Sequence, residues 1–171
     1  MKTIMVLDSG DYENTKRTVT KVTVRALIER DGKLLMQRDG AGVFKIPGGG
    51  VEGDEDHTET LVREVLEETG REVIPETIKE IGVIREIRRD VFDRDVKFVR
   101  DSYFYTCDVN DSEHELSLTQ SEKKAGFCAL WSEPSQVISV NSAHGLKDCM
   151  KRDTEFLKWY MGEKKGGDNA D

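Results

Sequence analysis

Residues 48–70 read GGGVEGDEDHTETLVREVLEETG, three glycines followed by an acidic run. At about 100° per residue, Glu64, Glu67 and Glu68 fall within one arc of a helix, and Leu61, Val62, Val65 and Leu66 occupy the adjoining arc. The segment has a start and a stop. Asp54, Asp56 and Thr58 are candidate N-caps, acidic residues crowd the first turn, and Gly70 stands where a C-terminal cap belongs. The spacing therefore predicts a helix with one buried stripe and one carboxylate stripe. Like charges three and four residues apart each destabilise a helix by about 0.2–0.5 kcal/mol, and glutamates near its C-terminus face the negative end of the dipole. Something positive must compensate. Arg63 lies on one flank and balances only part of the charge, whereas divalent cations would balance all three carboxylates at once. An oxygen-only ligand set favours Mg²⁺ or Mn²⁺ over zinc or copper. A solvated acidic face is the plainer alternative for an EVLEE run standing alone.

Upstream, TVTKVTVRALIERDGKLLMQR, residues 18–38, is rich in β-branched residues and broken by Asp31-Gly32, a hairpin signal that predicts two antiparallel strands. VFKIP predicts a short strand. Downstream, TIKEIGVIREIRR and VKFVRDSYFYTCDV read as long strands separated by the charged DVFDRD turn, and GFCALW as another. Residues 143–161 space Leu146, Met150, Phe156, Leu157, Tyr160 and Met161 as an amphipathic helix. No repeat or linker divides the chain, so one domain over residues 1–161 is expected, with residues 162–171 a mobile tail.

The net charge of −8 opposes a broad footprint for nucleic acid or an anionic membrane. A small phosphorylated ligand needs only local cations or bound metal and is not opposed. Cys107, Cys128 and Cys149 are odd in number and form no CxxC pair, so they read as reduced packing thiols rather than a disulfide framework or zinc site. The N-terminal apolar run is too short for a signal-peptide core and no later run approaches a membrane span. A cytoplasmic protein is expected.

Gly49, then Glu55, then Arg63-Glu64-Val65-Leu66-Glu67-Glu68-Thr69-Gly70, closely resembles the Nudix hydrolase box. The flanking FKIPGG and the strand ending in Trp131 are similar to that family as well. The resemblance implies an α/β/α sandwich in which a mixed sheet carries the box helix on one side and the C-terminal helix on the other. It implies hydrolysis of a nucleoside diphosphate linked to another moiety, by water attacking phosphorus. It implies that the Gly49 carbonyl with Glu64, Glu67 and Glu68 holds Mg²⁺ (or Mn²⁺), and that Glu55 and Arg63 form a loop-orienting ion pair. The general base varies in similar enzymes: Glu64 is one candidate, and Glu122, in LTQSEKKAGF, is the distal one. Arg38, closing LLMQR, stands where similar proteins place a substrate-contacting basic residue, a solvent-exposed strand-end arginine being the equal alternative, and Lys45 in FKIPGG is the second substrate-binding candidate. Two departures matter. Arg71 replaces an aliphatic residue at the helix exit, where it can act as a counter-ion, and the loop reads Glu52-Gly53-Asp54-Glu55 with its glycine moved by one place.

Rival motifs fail on physics. Gly48-x-Gly50-x-x-Gly53 matches a dinucleotide-binding turn, but the pyrophosphate would meet Asp54, Glu55 and Asp56. No Gly-Lys-Ser/Thr supports a P-loop, and the EF-hand position counted from Asp54 falls on Val65. Positions 86–89, Glu-Ile-Arg-Arg, lack the proline of ADP-ribose-type relatives and the tyrosine of dinucleoside polyphosphate enzymes. By elimination the expected substrate is a nucleoside triphosphate, standard or modified, cleaved to monophosphate and pyrophosphate. ADP-ribose or a nucleotide sugar, or a non-catalytic nucleotide-binding domain, are the alternatives. Tyr103 and Tyr105 share one strand face and Phe104 the other, so a base-stacking role competes with plain core. Either a monomer or a homodimer is compatible with the sequence.

Overall fold

The helix expected from the acidic run is α1, His57–Thr69. Asp56 caps it: its carboxylate accepts from the Glu59 amide at 2.9 Å while the Glu59 side chain accepts from the Asp56 amide at 2.9 Å. Gly70 closes it in the left-handed region at φ 68. The buried face is not the apolar stripe alone. Leu61 and Val65 are buried, but Val62 and Leu66 are only partly so, and Glu68 is 4% exposed. The helix is rolled so that one carboxylate of the acidic stripe lies beneath it.

The structure, a computed structural model, describes residues 1–145 and 149–167. Strands β1 (Thr3–Asp8), β2 (Arg17–Leu27), β6 (Val73–Arg89) and β7 (Val96–Val109) form a mixed sheet in the order β1-β6-β7-β2. The β6–β7 pair is antiparallel, while β1 runs parallel to β6 and β2 parallel to β7. A second sheet is antiparallel: β4 (Lys33–Arg38) pairs with β3 (Glu29–Arg30), β5 (Phe44–Lys45) and β8 (Cys128–Ser132). The Asp31-Gly32 turn, with both residues at positive φ, closes the β3–β4 hairpin. The longer run before it leaves that hairpin and pairs with β7 instead.

β6 begins earlier than expected, at Val73, because Pro75 is absorbed in an irregularity. The register passes from Ile74↔Asp108 to Lys79↔Thr106, and the Thr77 hydroxyl takes the Asp108 amide at 2.8 Å where proline supplies no ladder bond.

Two cores flank the sheets. On one side Val24, Ala26, Leu35, Tyr105, Cys107 and Val109 pack against Leu61 and Val65 of α1. On the other, Leu27, Met36, Phe44, Ile84 and Phe104 pack against Phe156 and Leu157, with Phe104 and Phe156 stacked at 3.9 Å. Both faces of β2 and β7 are covered in the buried stretch, which is the α/β/α sandwich that the resemblance implies.

Three elements depart from expectation. α2 (Gln120–Ala125) and α3 (Pro134–Ala143) were not foreseen, and the single helix over 143–161 is replaced by α3 ending at Ala143 and α4 (Cys149–Gly167). α3 closes on His144, and Gly145 just past it stands at φ 59. Leu146 lies outside the described residues. α4 runs on to Gly167, past the expected end at 161. Cys107 is buried, and burial pushes its thiol up to about 12. Cys128, in contrast to a packing thiol, is exposed at the start of β8. Among the described residues no helix is long and apolar enough to cross a membrane.

Candidate active site

Three segments meet at one end of α1. The first is the glycine turn after β5. Gly48, at φ 132, passes so close to β2 that an added β-carbon would overlap the Val24 carbonyl, which explains why only glycine fits. The Val24 amide donates to the Gly49 carbonyl at 2.9 Å, and the buried Arg25 guanidinium donates to the Ile46 and Gly48 carbonyls. The turn is thereby stitched onto the sheet.

The second segment is α1 itself. Arg63 forks onto Glu55, with Nε to Oε1 at 2.6 Å and Nη2 to Oε2 at 2.9 Å. It also reaches Glu64 at 2.9 Å and Glu67 at 3.4 Å. The Arg63 hydrogen bonds are the main reason the Glu55 carboxyl is held down at about 2, helped by the Thr60 hydroxyl. Burial pushes the Glu64 carboxyl above the usual range, opposed by Arg63 and reinforced by the neighbouring Glu68 charge. Glu68 is held from below. It accepts from Lys45 Nζ at 2.9 Å and from the Gly48 amide at 2.7 Å. With its amide nitrogen turned toward α1, the buried Gln37 lies 3.1 Å from both of its oxygens.

The third segment leads into α2. Thr119 caps that helix, and its amide and hydroxyl both donate to Glu122 Oε2, at 2.9 and 2.7 Å. Partial burial pushes the Glu122 carboxyl up, but the Thr119 bonds and the nearby Lys45 charge outweigh it and leave the group below the ordinary carboxylate range. Both bonds fall on Oε2, and among the described residues no hydrogen bond engages Oε1.

Together these segments line a cavity of about 230 Å³ that brings Gly49, Lys45, Glu64, Glu67, Glu68 and Glu122 to one place, with Arg25, Glu52, Arg63, Ser117 and Thr119. Arg38 is not among the lining residues. It is exposed at the end of β4, opposite Phe44 and Cys128 in register, on the other sheet face from Gln37 and Lys45. The candidate aromatics are elsewhere too: Tyr105 hydrogen-bonds His57 at 2.7 Å, Tyr103 packs on the same imidazole, and Phe104 is core. A larger concavity, about 510 Å³, lies where β1 and β6 meet Lys151 of α4 and mixes apolar side chains with charges of both signs.

The acidic cavity fits a hard divalent cation by chemistry. Its donors are oxygens only, and the Glu64 carboxylate rests against Gly49 where any β-carbon would displace it. Among the described residues, no three side chains already converge as a ligand set. Arg63 and Lys45 occupy the carboxylates instead, so the compensation expected from cations is partly supplied by the protein. Coordination by Glu68 would require Lys45 to let go, and coordination by the Gly49 carbonyl would use its second lone pair.

Arg25, Gln37, Asn141 and Asp153 support this site and were not picked out in the sequence. Asn141 accepts from the Phe44 amide and donates to the Phe44 carbonyl, both at 2.9 Å, and Asp153 accepts from the Ile46 amide at 3.0 Å. Side chains of α3 and α4 thus occupy the free edge of β5, just before the glycine turn. Arg152, fully buried, ties Asp153 to Glu86 and Ser102 of the mixed sheet. Polar residues inside apolar strand or helix patterns, as in TVRAL, are the one sequence signal that points to such a role.

Residues 19–166 match the family model described as the NUDIX domain. The chain is 50% identical over 54 residues to the CTP pyrophosphohydrolase of Escherichia coli (strain K12), a stretch covering 29% of this chain and 40% of that protein. It is 40% identical over 73 residues to the ADP-ribose pyrophosphatase of Methanocaldococcus jannaschii, covering 40% of this chain and 42% of that protein. The matches thus span about two fifths of each relative's length. Among solved structures, that of the E. coli ORF135 protein superposes with a TM-score of 0.59 at 24% identity, covering 89% of this chain and 95% of that one. A NUDIX hydrolase from Nitrosomonas europaea gives 0.58 at 22% identity, covering 78% and 85%. At these identities the structural likeness speaks for the fold.

Proposed function

This chain belongs to the Nudix hydrolase family, and we propose on that premise that it hydrolyses a phosphoanhydride bond in a nucleoside diphosphate linked to another moiety. The observation that carries the reading is the convergence of Glu64, Glu67, Glu68 and Glu122 with Lys45 around one cavity beside the glycine turn. Glu64, Glu67 and Glu68, with the Gly49 carbonyl, would hold Mg²⁺ or Mn²⁺. When bound, these ions would polarise the phosphoryl oxygens and lower the pKa of a water. Glu55 keeps Arg63 forked in place, so that α1 and the loop before it move as one unit. Lys45, released from Glu68, supplies a cation to the phosphate oxygens. Glu122, ionised at neutral pH like any ordinary carboxylate and kept so by the Thr119 bonds and the Lys45 charge, accepts the proton of the attacking water at Oε1. Glu64, raised by burial, is the alternative base.

The favoured substrate is a nucleoside triphosphate cleaved to monophosphate and pyrophosphate. The identity to a protein named CTP pyrophosphohydrolase supports a triphosphate, and the similarity to one named ADP-ribose pyrophosphatase makes ADP-ribose the comparison substrate. The test is a panel of CTP, ATP, GTP and ADP-ribose with Mg²⁺, Mn²⁺ or EDTA, with products resolved by ion-exchange chromatography. Pyrophosphate released from a triphosphate, abolished by EDTA and reduced about 100-fold or more in Glu67→Gln and Glu68→Gln, is expected. Nucleotide binding without metal-dependent product would replace the hydrolase by a binding module.

A further inference from the structure

α1 ends with no basic residue in its last turn, so the main-chain carbonyls at its exit need donors from elsewhere. A distant segment supplies them. The Ser117 amide donates to the Glu67 carbonyl and the His114 amide to the Gly70 carbonyl, both at 2.8 Å. A β-carbon at Gly70 would collide with the His114 carbonyl, so the approach is close as well as bonded. Arg71, the first residue past the cap, then grips the same segment. Its Nη1 donates to the Asp111 and Ser112 carbonyls at 3.1 and 3.3 Å, and its Nη2 pairs with Glu113. Residues 111–118 have no strand or helix of their own, and they run directly into Thr119 and Glu122. A concavity of about 280 Å³ opens beside them, lined by Arg71, Leu116 and Trp131, and His114 pairs with Glu72 and Asp111 with Arg30 along the same stretch.

We infer that Arg71 is a positioning residue for Glu122: by fixing residues 111–117 to the exit of α1, it sets the distance between the α2 carboxylate and the α1 carboxylates. The inference rests on the hydrolytic reading of the cavity. An aliphatic side chain at position 71 would pack but could not hold two carbonyls and a carboxylate. A planar guanidinium can, because its donors fan out in one plane. A displacement of about 1 Å at a catalytic base can cost on the order of 100-fold in rate.

The experiment compares wild type, Arg71→Leu and Arg71→Lys, each in the native and the Glu122→Gln background. Hydrogen exchange of peptides covering 112–118 is read first, because it needs no catalysis. Arg71→Leu should speed exchange at His114 and Ser117 by about 10-fold, while α1 and the sheets stay protected. In steady-state hydrolysis of Mg²⁺·CTP, or of ADP-ribose if that is the cleaved compound, Arg71→Leu should lower kcat by about 10- to 100-fold with KM within about twofold. Arg71→Lys should recover part of the loss. In Glu122→Gln enzyme the same substitution should cost nothing further. Unchanged exchange in Arg71→Leu, or an equal loss in both backgrounds, overturns the inference. If Arg71→Leu does not fold, Arg71→Lys carries the same comparison, with a smaller but equally Glu122-dependent loss. An inactive wild type ends the hydrolytic reading and this inference together, a pattern distinct from an active enzyme with additive losses.

Discussion

Replacing Gly49 by alanine would put a methyl group far inside van der Waals contact with all three terminal atoms of the Glu64 carboxylate. Only that flexible tip is in the way, and no positive φ constrains the residue. The protein should yield by rotating Glu64, at about 0.5–1.5 kcal/mol for an off-rotamer side chain. The unfolded chain simultaneously loses about 0.4–1 kcal/mol of conformational freedom, so net stability should change by less than about 1 kcal/mol. The consequence for chemistry is much larger, because the displaced group is a proposed metal ligand. A loss of about 100-fold in Mg²⁺-dependent hydrolysis, equivalent to about 2.7 kcal/mol, is expected. Gly48→Ala supplies the contrast. There the obstruction is backbone, the Val24 carbonyl with the Arg25 Cα at 3.0 Å, and φ is 132. Strain plus overpacking should cost about 3 kcal/mol or more, or about 6–12 °C in Tm for a domain of this size. Thermal melts and product release measured on both variants separate the cases. A Gly49→Ala enzyme with near wild-type metal-dependent rate would refute the assignment of Glu64 to the cation, and a Gly48→Ala protein melting with wild type would refute the close-approach argument.

Three further outcomes follow from the same contacts. The Glu55 carboxyl is held at about 2 against an ordinary 4.5, chiefly by Arg63. Its stabilising contribution is therefore complete above about pH 4.5 and is lost as pH falls toward 2; urea unfolding from pH 6 to pH 3 should show wild type and Arg63→Met converging in acid, and a constant gap would contradict the pairing. Asp153→Ala strips the fully buried Arg152 of a carboxylate at 2.6 Å and the Ile46 amide of its acceptor, so a loss of about 3–5 kcal/mol is expected by chemical denaturation, and a loss under 1 kcal/mol would show that the other partners of Arg152 suffice. Phe156→Ala empties the position stacked on Phe104 and should cost about 3–5 kcal/mol with the midpoint shifted and the denaturant slope unchanged.

Much of the fold was legible because its signals are local. The boundaries of α1 follow from Asp56, Glu59 and Gly70, all within a turn of the helix ends. The β3–β4 hairpin follows from two adjacent residues that tolerate positive φ, and the β6–β7 hairpin from two long β-branched runs about a charged turn. α2 also left a local signature, the Thr119-x-x-Glu122 capping box, and α3 a proline at its first turn, so both were readable but outweighed by the stronger patterns beside them. The parallel pairing of β2 with β7 was not readable, since its partners Arg17 and Val96 are far apart in sequence and neither strand's pattern names the other.

By itself the sequence determined that a capped helix would carry Glu64, Glu67 and Glu68 on one side, and that an arrangement of oxygens would follow the glycine turn. Helix periodicity and capping act over three or four residues, so no tertiary information is needed. Arg63 lies beside them by helix spacing alone, but only the tertiary structure decided which distant groups join it. Lys45 arrives under Glu68 because β5 pairs with β4 and is clasped at its other edge by Asn141 and Asp153, and Glu122 arrives opposite α1 because Arg71 and the Gly70 cap hold residues 111–117. Such placements depend on chain segments that meet only after the sheets have formed, and the energy of a buried charge depends on every group around it rather than on its neighbours along the chain.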